Sequence, residues 1–226
     1  MSDNNENNID YINERMAKAK EILEKKYNDA FEIIEYRGQQ MLADYYEVKA
    51  VCKNNPDLKF TASVEADYSG VSDSYAAKMV SKRFADIVSR NLNDINGYVY
   101  VFSETFIKEY PLPGADISVE DFSNIVDNNL MKVFVFICEE NETAENMYSA
   151  YQNSFKSLEA FSGTLAWYIV DEDMLKNIQK YIEINISLSF DFIRMTEKNL
   201  AIEDRFVKGL PQMSKDNFVT KIGKCL

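Results

Sequence analysis

The stretch LKFTASVEADY, residues 58–68, alternates apolar and polar side chains without a break: Phe60, Ala62, Val64, Ala66 and Tyr68 fall on one side, Lys59, Thr61, Ser63, Glu65 and Asp67 on the other. Side chains of a strand point alternately to opposite faces, so this pattern predicts a strand with one dry and one wet side. Ser69-Gly70 interrupts it, and Ala77, Val80, Phe84, Ile87 and Leu92 then recur at helical spacing. The spacing predicts an amphipathic helix, opened by Ser72 or Asp73 as N-cap and closed near Asn96-Gly97. YVYVF, residues 98–102, is short, aromatic and β-branched and predicts a second strand. A strand, a helix and a strand in succession place α and β elements around a shared core.

Towards the N-terminus, Ile12, Met16, Ala19, Leu23 and Tyr27 repeat at steps of three and four, the signature of a surface helix laying one stripe on a core. Residues 1–8 are almost all Asn, Asp and Glu and are expected to form an irregular tail. Phe31 to Tyr36 predicts a strand before a turn at Arg37-Gly38, and Tyr46, Val48, Ala50 and Cys52 are in phase on another strand. Asn54-Asn55-Pro56-Asp57 is strong turn chemistry, so the strands flanking it are expected to be antiparallel neighbours.

This order of elements, with EKKYNDAFEII, YYEVKAV and NNPDLKF along it, resembles a group of bacterial α+β proteins without an assigned activity. The resemblance covers roughly residues 10–92, rests on element order and turn residues, and implies a fold with no site to carry over. Many members of that group are exported or lipid-anchored, whereas residues 1–8 have neither a basic nor an apolar segment of a signal peptide.

Pro111-Leu112-Pro113-Gly114 is the densest punctuation in the chain and marks the expected boundary between a segment 9–110 and a segment 115–226. Beyond it, Ser118-x-x-Asp121 resembles a capping box before a short helix carrying Phe122 and Ile125. Residues 133–138 and 165–170 are apolar throughout, as expected of strands covered on both faces. Between them, Met147, Tyr151, Phe155 and Leu158 mark a helix, and Met174, Leu175, Ile178 and Tyr181 mark another after the second strand. Glu183 to Phe192 alternates over ten residues and predicts a half-exposed strand. Thr196 is expected to cap a helix reaching Val207, and Phe218, Ile222 and Cys225-Leu226 a terminal helix docked on an acidic body. The fold class expected is α+β, mainly antiparallel sheet with helices packed on it, as one two-layer domain or two small α/β subdomains.

Composition excludes more than it suggests. The 226 residues are 46% hydrophobic and 27% charged, with 25 Lys plus Arg against 37 Asp plus Glu, a net charge of -12. A field of that sign repels phosphate backbones and anionic lipid, so neither nucleic acid nor a membrane surface is an expected partner. Apolar runs stop at about six residues, far short of the roughly 20 that span a bilayer. Cys52, Cys138 and Cys225 are far apart and odd in number, which fits free thiols and a cytoplasmic location. Histidine is absent, which removes Ser-His and Cys-His nucleophile pairs and His-ligated metals. The seven glycines come no closer than 14 positions to one another, so no Walker loop or dinucleotide fingerprint can be written.

Chemistry is best sought at two acidic clusters. Asp171-Glu172-Asp173 follows directly on the apolar run ending Ile169-Val170, and Glu139-Glu140-Asn141-Glu142 follows Ile137-Cys138. If the two strands run parallel in one sheet, both clusters emerge at its carboxyl edge, where open α/β sheets place ligands. Asp171, Asp173, Glu139 and Glu140 would there suit a hard cation, magnesium or manganese, carrying a phosphate-containing small molecule. A strand followed by D-x-D also resembles the metal motif of several phosphotransfer and glycosyltransfer families. The plainer reading is that the acids are helix caps, since Asp and Glu accept orphan N–H groups and complement the positive end of a helix. On that reading no catalytic or cofactor site is expected, and the chain is a non-enzymatic interaction module of adaptor, inhibitor or immunity type, its partner another protein with basic character. The tyrosines and phenylalanines, fourteen of each, and the single tryptophan, Trp167, are expected in the core more than on a recognition surface.

Overall fold

The structure is a computed structural model, and it describes residues 3–39, 43–95, 97–105, 114–125, 131–139, 143–158, 161–184, 192, 194, 196–206 and 212–223. The chain divides into two compact units, Met1–Met79 with Lys108–Asp116, and Val80–Ile107 with Ile117–Leu226. Both are built from helices and sheet, the α+β class that the sequence predicts.

In the first unit, helix α1 (Asp3–Tyr27) precedes β1 (Phe31–Gln39), β2 (Tyr45–Cys52), β3 (Asn55–Glu65) and β4 (Val71–Asp73). The four strands form an antiparallel sheet in sequential order. Alternation does here what strand geometry requires. Tyr46, Val48, Ala50 and Cys52 on β2 and Phe60, Ala62 and Val64 on β3 are fully buried on the face that α1 covers, while the residues between them are half-exposed. Helix α1 contributes Ala19 and Leu23 to that core, and begins at Asp3, inside the stretch expected to be irregular.

The predicted turn at Arg37-Gly38 is instead a bulge within β1. The register with β2 shifts between Tyr36 and Gly38, and Gly38 takes φ of 86°, a conformation that glycine reaches without strain. Asp73 lies in the short β4, and its carboxylate accepts the backbone N–H of Tyr75 at 2.9 Å as helix α2 (Tyr75–Ser89) begins.

The second unit continues α2 and adds β5 (Gly97–Thr105), α3 (Val119–Ile125), β6 (Met131–Glu139), α4 (Ala144–Leu158), β7 (Gly163–Val170), α5 (Glu172–Ile184), β8 (Leu200–Phe206) and α6 (Lys215–Ile222). Its sheet has the order β5-β6-β7-β8, with β6 and β7 parallel at the centre and the outer pairs antiparallel. The central strands are apolar on both sides because both sides are covered. Phe134, Phe136, Ala166 and Tyr168 pack with Leu175 and Ile178 of α5, while Trp167 faces Tyr151 of α4 and Phe218 of α6 at 6.1 and 5.8 Å between ring centroids. The terminal helix is therefore docked as expected, with Phe218 and Ile222 fully buried. Cys225 lies outside the described residues.

Two predictions fail in this unit. Glu183 and Ile184 are the last residues of α5 and Phe192 is helical, where a strand 183–192 was expected; residues 185–191 lie outside the described residues. Helix α5 extends because Tyr181 and Ile182 continue its apolar stripe onto the core, and neither glycine nor proline stops it. The predicted helix from Thr196 to Val207 is a short 3-10 turn, Glu197–Asn199, followed by strand β8. Thr196 caps nothing: its hydroxyl donates to the Phe192 carbonyl at 3.0 Å. Ile202 and Phe206 are the buried residues of β8, and a spacing of four puts two residues on one face of a helix and of a strand alike. Pairing with the open edge of β7 decides between them.

Candidate functional site

The acidic cluster after β7 is built as a helix start. The Asp171 carboxylate accepts the Met174 N–H at 2.7 Å, its carbonyl accepts the Leu175 N–H, and Glu172 pairs with Lys176 one turn along at 2.6 Å. Asp171, Glu172 and Asp173 are all exposed. The strand geometry beneath them is the one the cation reading requires: β6 and β7 run parallel with Cys138 opposite Val170, so Glu139 and Asp171 follow paired residues. The Glu139 side chain and Glu140 lie outside the described residues. Among the described residues no three His, Cys, Asp or Glu side chains are gathered as a metal would need.

Two carboxylates in the first unit, one buried and one half-buried, have full sets of donors. Asp73, whose side chain is fully buried, accepts from Lys26 Nζ at 2.8 Å, Tyr27 Oη at 2.8 Å and the Tyr75 N–H. Asp29 accepts from the Ala30 N–H at 2.8 Å, Asn54 Nδ2 at 2.7 Å, Tyr75 Oη at 3.1 Å and the buried Cys52 thiol at 3.2 Å. Desolvation pushes the Asp29 carboxyl up, and the bonds from Cys52, Ala30, Tyr75 and Asn54 outweigh it and hold the group below the usual carboxylate range. Burial, followed by the charge and hydrogen bond of Asp73, raises the Tyr27 phenol. Tyr75 joins the two carboxylates, its hydroxyl on one and its N–H on the other, and its ring packs on Tyr27 and Phe31 at 4.9 and 5.0 Å. Paired charges of this kind hold an element junction in place.

Arg15 is the exception. It is 8% exposed, on the core side of α1 one turn before Ala19, and its guanidinium lies between the rings of Tyr11 and Tyr46 at 4.6 and 4.5 Å from their centroids. Tyr36 shares a hydrogen bond with it, and that bond and its charge oppose the rise that burial imposes on the Tyr36 phenol. The Tyr46 hydroxyl donates to the Arg15 carbonyl at 2.9 Å, and Tyr46 in turn packs on Tyr36 and Tyr68. Nε and Nη1 of Arg15 are buried without a hydrogen-bond partner, and no described carboxylate forms an ion pair with the side chain. Two cation–π contacts supply up to about 2 kcal/mol each, against several for desolvating an ion and about 1–3 for each unmade hydrogen bond. The sequence carried a signal for this: Arg15 falls four residues before Ala19 and eight before Leu23, on the apolar stripe, with Tyr11 one turn earlier.

No family model matches the sequence, and no curated protein matches it. Among solved structures, the chain is similar to a DUF5037 family protein from Ruminococcus gnavus ATCC 29149, with a TM-score of 0.68 and 18% identity over 91% of this chain and 98% of that one. At that identity the likeness is one of fold, and it accords with the resemblance to α+β proteins without an assigned activity.

Proposed function

We propose that the chain is a non-enzymatic interaction module that binds a basic protein. The observation that carries this reading is the N-terminal part of α1, where Ile9 and Tyr11 stand 58% and 44% exposed among the exposed acids Asp10 and Glu14. A protein of net charge -12 steers cationic partners at long range, and an exposed tyrosine and isoleucine supply the desolvated contact that charge alone does not. The test is capture from an extract of the source cells on immobilised protein, beside a column carrying Ile9→Ser/Tyr11→Ser. That variant keeps every charge. A basic protein held by the native column at about physiological ionic strength and released by the variant supports the reading, since screening there shortens bare electrostatic attraction to about 8 Å. Identical retention on both columns refutes it.

A second reading is favoured by the parallel, in-register β6 and β7, which carry Glu139 and Glu140 and Asp171 and Asp173 beyond neighbouring strand ends. A magnesium or manganese ion held there would serve a phosphate-containing substrate. Asp171→Asn/Asp173→Asn separates charge from capping, because asparagine also caps. A saturable rise in melting temperature with magnesium or manganese that the double variant loses establishes the ion site, and a rise in neither protein discards it.

A further inference from the structure

We infer that Arg15 and the tyrosines around it form a binding site for a small oxyanion, a carboxylate or a phosphate, with Tyr11 as its movable cover. The inference shares Tyr11 with the protein-binding reading, but it rests on the buried donors of Arg15 and its probes are inorganic ions and not a protein, so either can fail without the other. Its starting point is the contrast within one unit: Asp73 has three donors and Asp29 four, while two nitrogens of the Arg15 guanidinium have no acceptor among the described residues. A buried guanidinium is best met by an acceptor that fits its planar fork. What it lacks is an acceptor of opposite charge.

The surrounding residues define what that acceptor can be. Tyr46 on β2 is fully buried and Tyr36 on β1 is half-buried, so two of the walls are fixed by the sheet, and the half-buried Tyr68, in the turn after β3, packs on Tyr46. Tyr11 is the exposed ring, and it sits over the guanidinium from the same helix, one turn away. A change of its χ1 rotamer takes the ring off the guanidinium without breaking a strand or helix bond, and exposed side chains make such changes within nanoseconds. The Tyr46 hydroxyl is already given to the Arg15 carbonyl, whereas the Tyr36 hydroxyl, which meets the guanidinium, keeps a proton to donate to an anion beside it. Such walls suit a compact oxyanion, and charge-assisted bonds to carboxylate or phosphate are the strongest that guanidinium makes.

The test uses the whole chain and two probes, sodium phosphate and sodium acetate, each titrated at constant ionic strength against sodium chloride. The readouts are the melting temperature and the Arg15 Nε–H resonance, followed in the native protein, Arg15→Met and Tyr11→Ala. One of the probes is expected to raise the melting temperature saturably and shift the Nε–H resonance, and which one does so separates the phosphate from the carboxylate class. Tyr11→Ala should keep the effect, because it removes the cover and leaves the donors, and Arg15→Met should abolish it. If Arg15→Met does not fold, Arg15→Lys decides: it keeps the charge and loses the planar fork, and should weaken binding by about tenfold. The inference is overturned if neither probe acts beyond chloride on native protein and Tyr11→Ala, if Arg15→Met responds like the native chain, or if Arg15→Lys binds unchanged.

Discussion

Replacing Gly163 by alanine asks the centre of the second sheet to admit a single methyl group. Gly163 opens β7 opposite Phe206 of β8, while the next residue of β7, Thr164, pairs with Lys132 of β6. A Cβ built on Gly163 would lie 2.5 Å from Phe206 Cζ, 2.7 Å from the Met131 carbonyl oxygen and 3.0 Å from Met131 Cβ. Carbon contacts are optimal near 3.5–4.0 Å, so the methyl overlaps neighbours on both flanking strands. The Phe206 ring is fully buried and Met131 is 4% exposed, which leaves neither a free direction to retreat. Overpacking of this kind costs about 1–3 kcal/mol, and the smaller conformational freedom of alanine in the unfolded chain returns about 0.4–1. A backbone oxygen held in a strand ladder yields less than a side-chain end, so the net loss should be about 2 kcal/mol. For a chain of this size that is a fall of about 4–8 °C in melting temperature.

The assay is urea denaturation followed by the fluorescence of Trp167, the single tryptophan, which is fully buried four residues along the same strand. The midpoint should drop while the slope stays constant. Gly163→Ala combined with Phe206→Leu should show a favourable coupling of about 1 kcal/mol, because the ring contact is relieved and the Met131 oxygen remains. Gly223→Ala serves as the control: its φ is -62° and its new methyl would meet the Val219 oxygen at 3.1 Å, so stability should change by less than about 0.5 kcal/mol. A Gly163→Ala protein within about 0.5 kcal/mol of native would refute the packing argument.

Asp73→Ala leaves the half-buried Tyr27 hydroxyl and the Tyr75 N–H without their shared acceptor, while the exposed Lys26 ammonium turns to water, and should cost about 1–3 kcal/mol by urea denaturation. Tyr27→Phe in the same chain should recover part of it, since one orphaned donor is removed. Asp29 titrates below its usual range in the fold, so its stabilisation is fully present above the unfolded value of about 3.9 and is lost as pH falls through the folded one. Asp29→Asn should therefore be less stable than native at pH 7, and the two curves should converge as pH drops below about 4. Burial, then the charge of Glu203, pushes the Tyr168 phenol up to about 12, and burial leads in raising Tyr27, Tyr46, Tyr75 and Tyr151 as well. A raised phenol stabilises the fold fully below the unfolded value of about 10, and that contribution is lost as pH rises through the folded value. Phenolate absorbance from these residues should therefore appear together with loss of native Trp167 fluorescence; phenolate forming in a chain with native fluorescence would show them unburied.

What was legible in the sequence is what a single periodicity states without competition. Residues 58–68 alternate without exception, and β3 follows as far as Glu65, with Phe60, Ala62 and Val64 fully buried and Ala66-Asp67-Tyr68 in the turn beyond it. The antiparallel pairing of β2 and β3 was legible from the turn chemistry between them, although the turn itself is made at Lys53-Asn54 and Asn55-Pro56-Asp57 already belong to β3. That residues 133–138 and 165–170 are strands covered on both faces was legible from their apolar runs, whereas their parallel pairing was only a condition of the cation reading and is decided by the structure. Residues 183–184 and 200–206 read wrongly for a shared reason. Ile202 and Phe206 satisfy a helix and a strand equally, and alternation beyond Glu183 competed with a stripe that α5 was already burying. In both places a neighbouring element settles the matter, through the edge of β7 in one and the core beneath α5 in the other.

The candidate site shows the opposite asymmetry. Asp171 and its neighbours drew attention because acidic runs are conspicuous, yet the same carboxylates are what a helix start uses, and Asp171 is bonded as one. Arg15 drew none, because an arginine on a helix is ordinarily a solvated charge whose stem alone is buried. Its place on the stripe with Ala19 and Leu23 argued against that, since a residue in phase with two fully buried ones on the same face is carried into the core whatever its charge. The informative reading of α1 was therefore not which residues are apolar but which residue in the apolar phase is not. Evolution of a helix tolerates such an ion only where something offsets it, and here two tyrosine faces and the Tyr36 hydrogen bond meet part of the need. The remaining part, two buried N–H groups without an acceptor, separates Arg15 from Asp29 and Asp73, whose polar partners are all supplied by the fold itself.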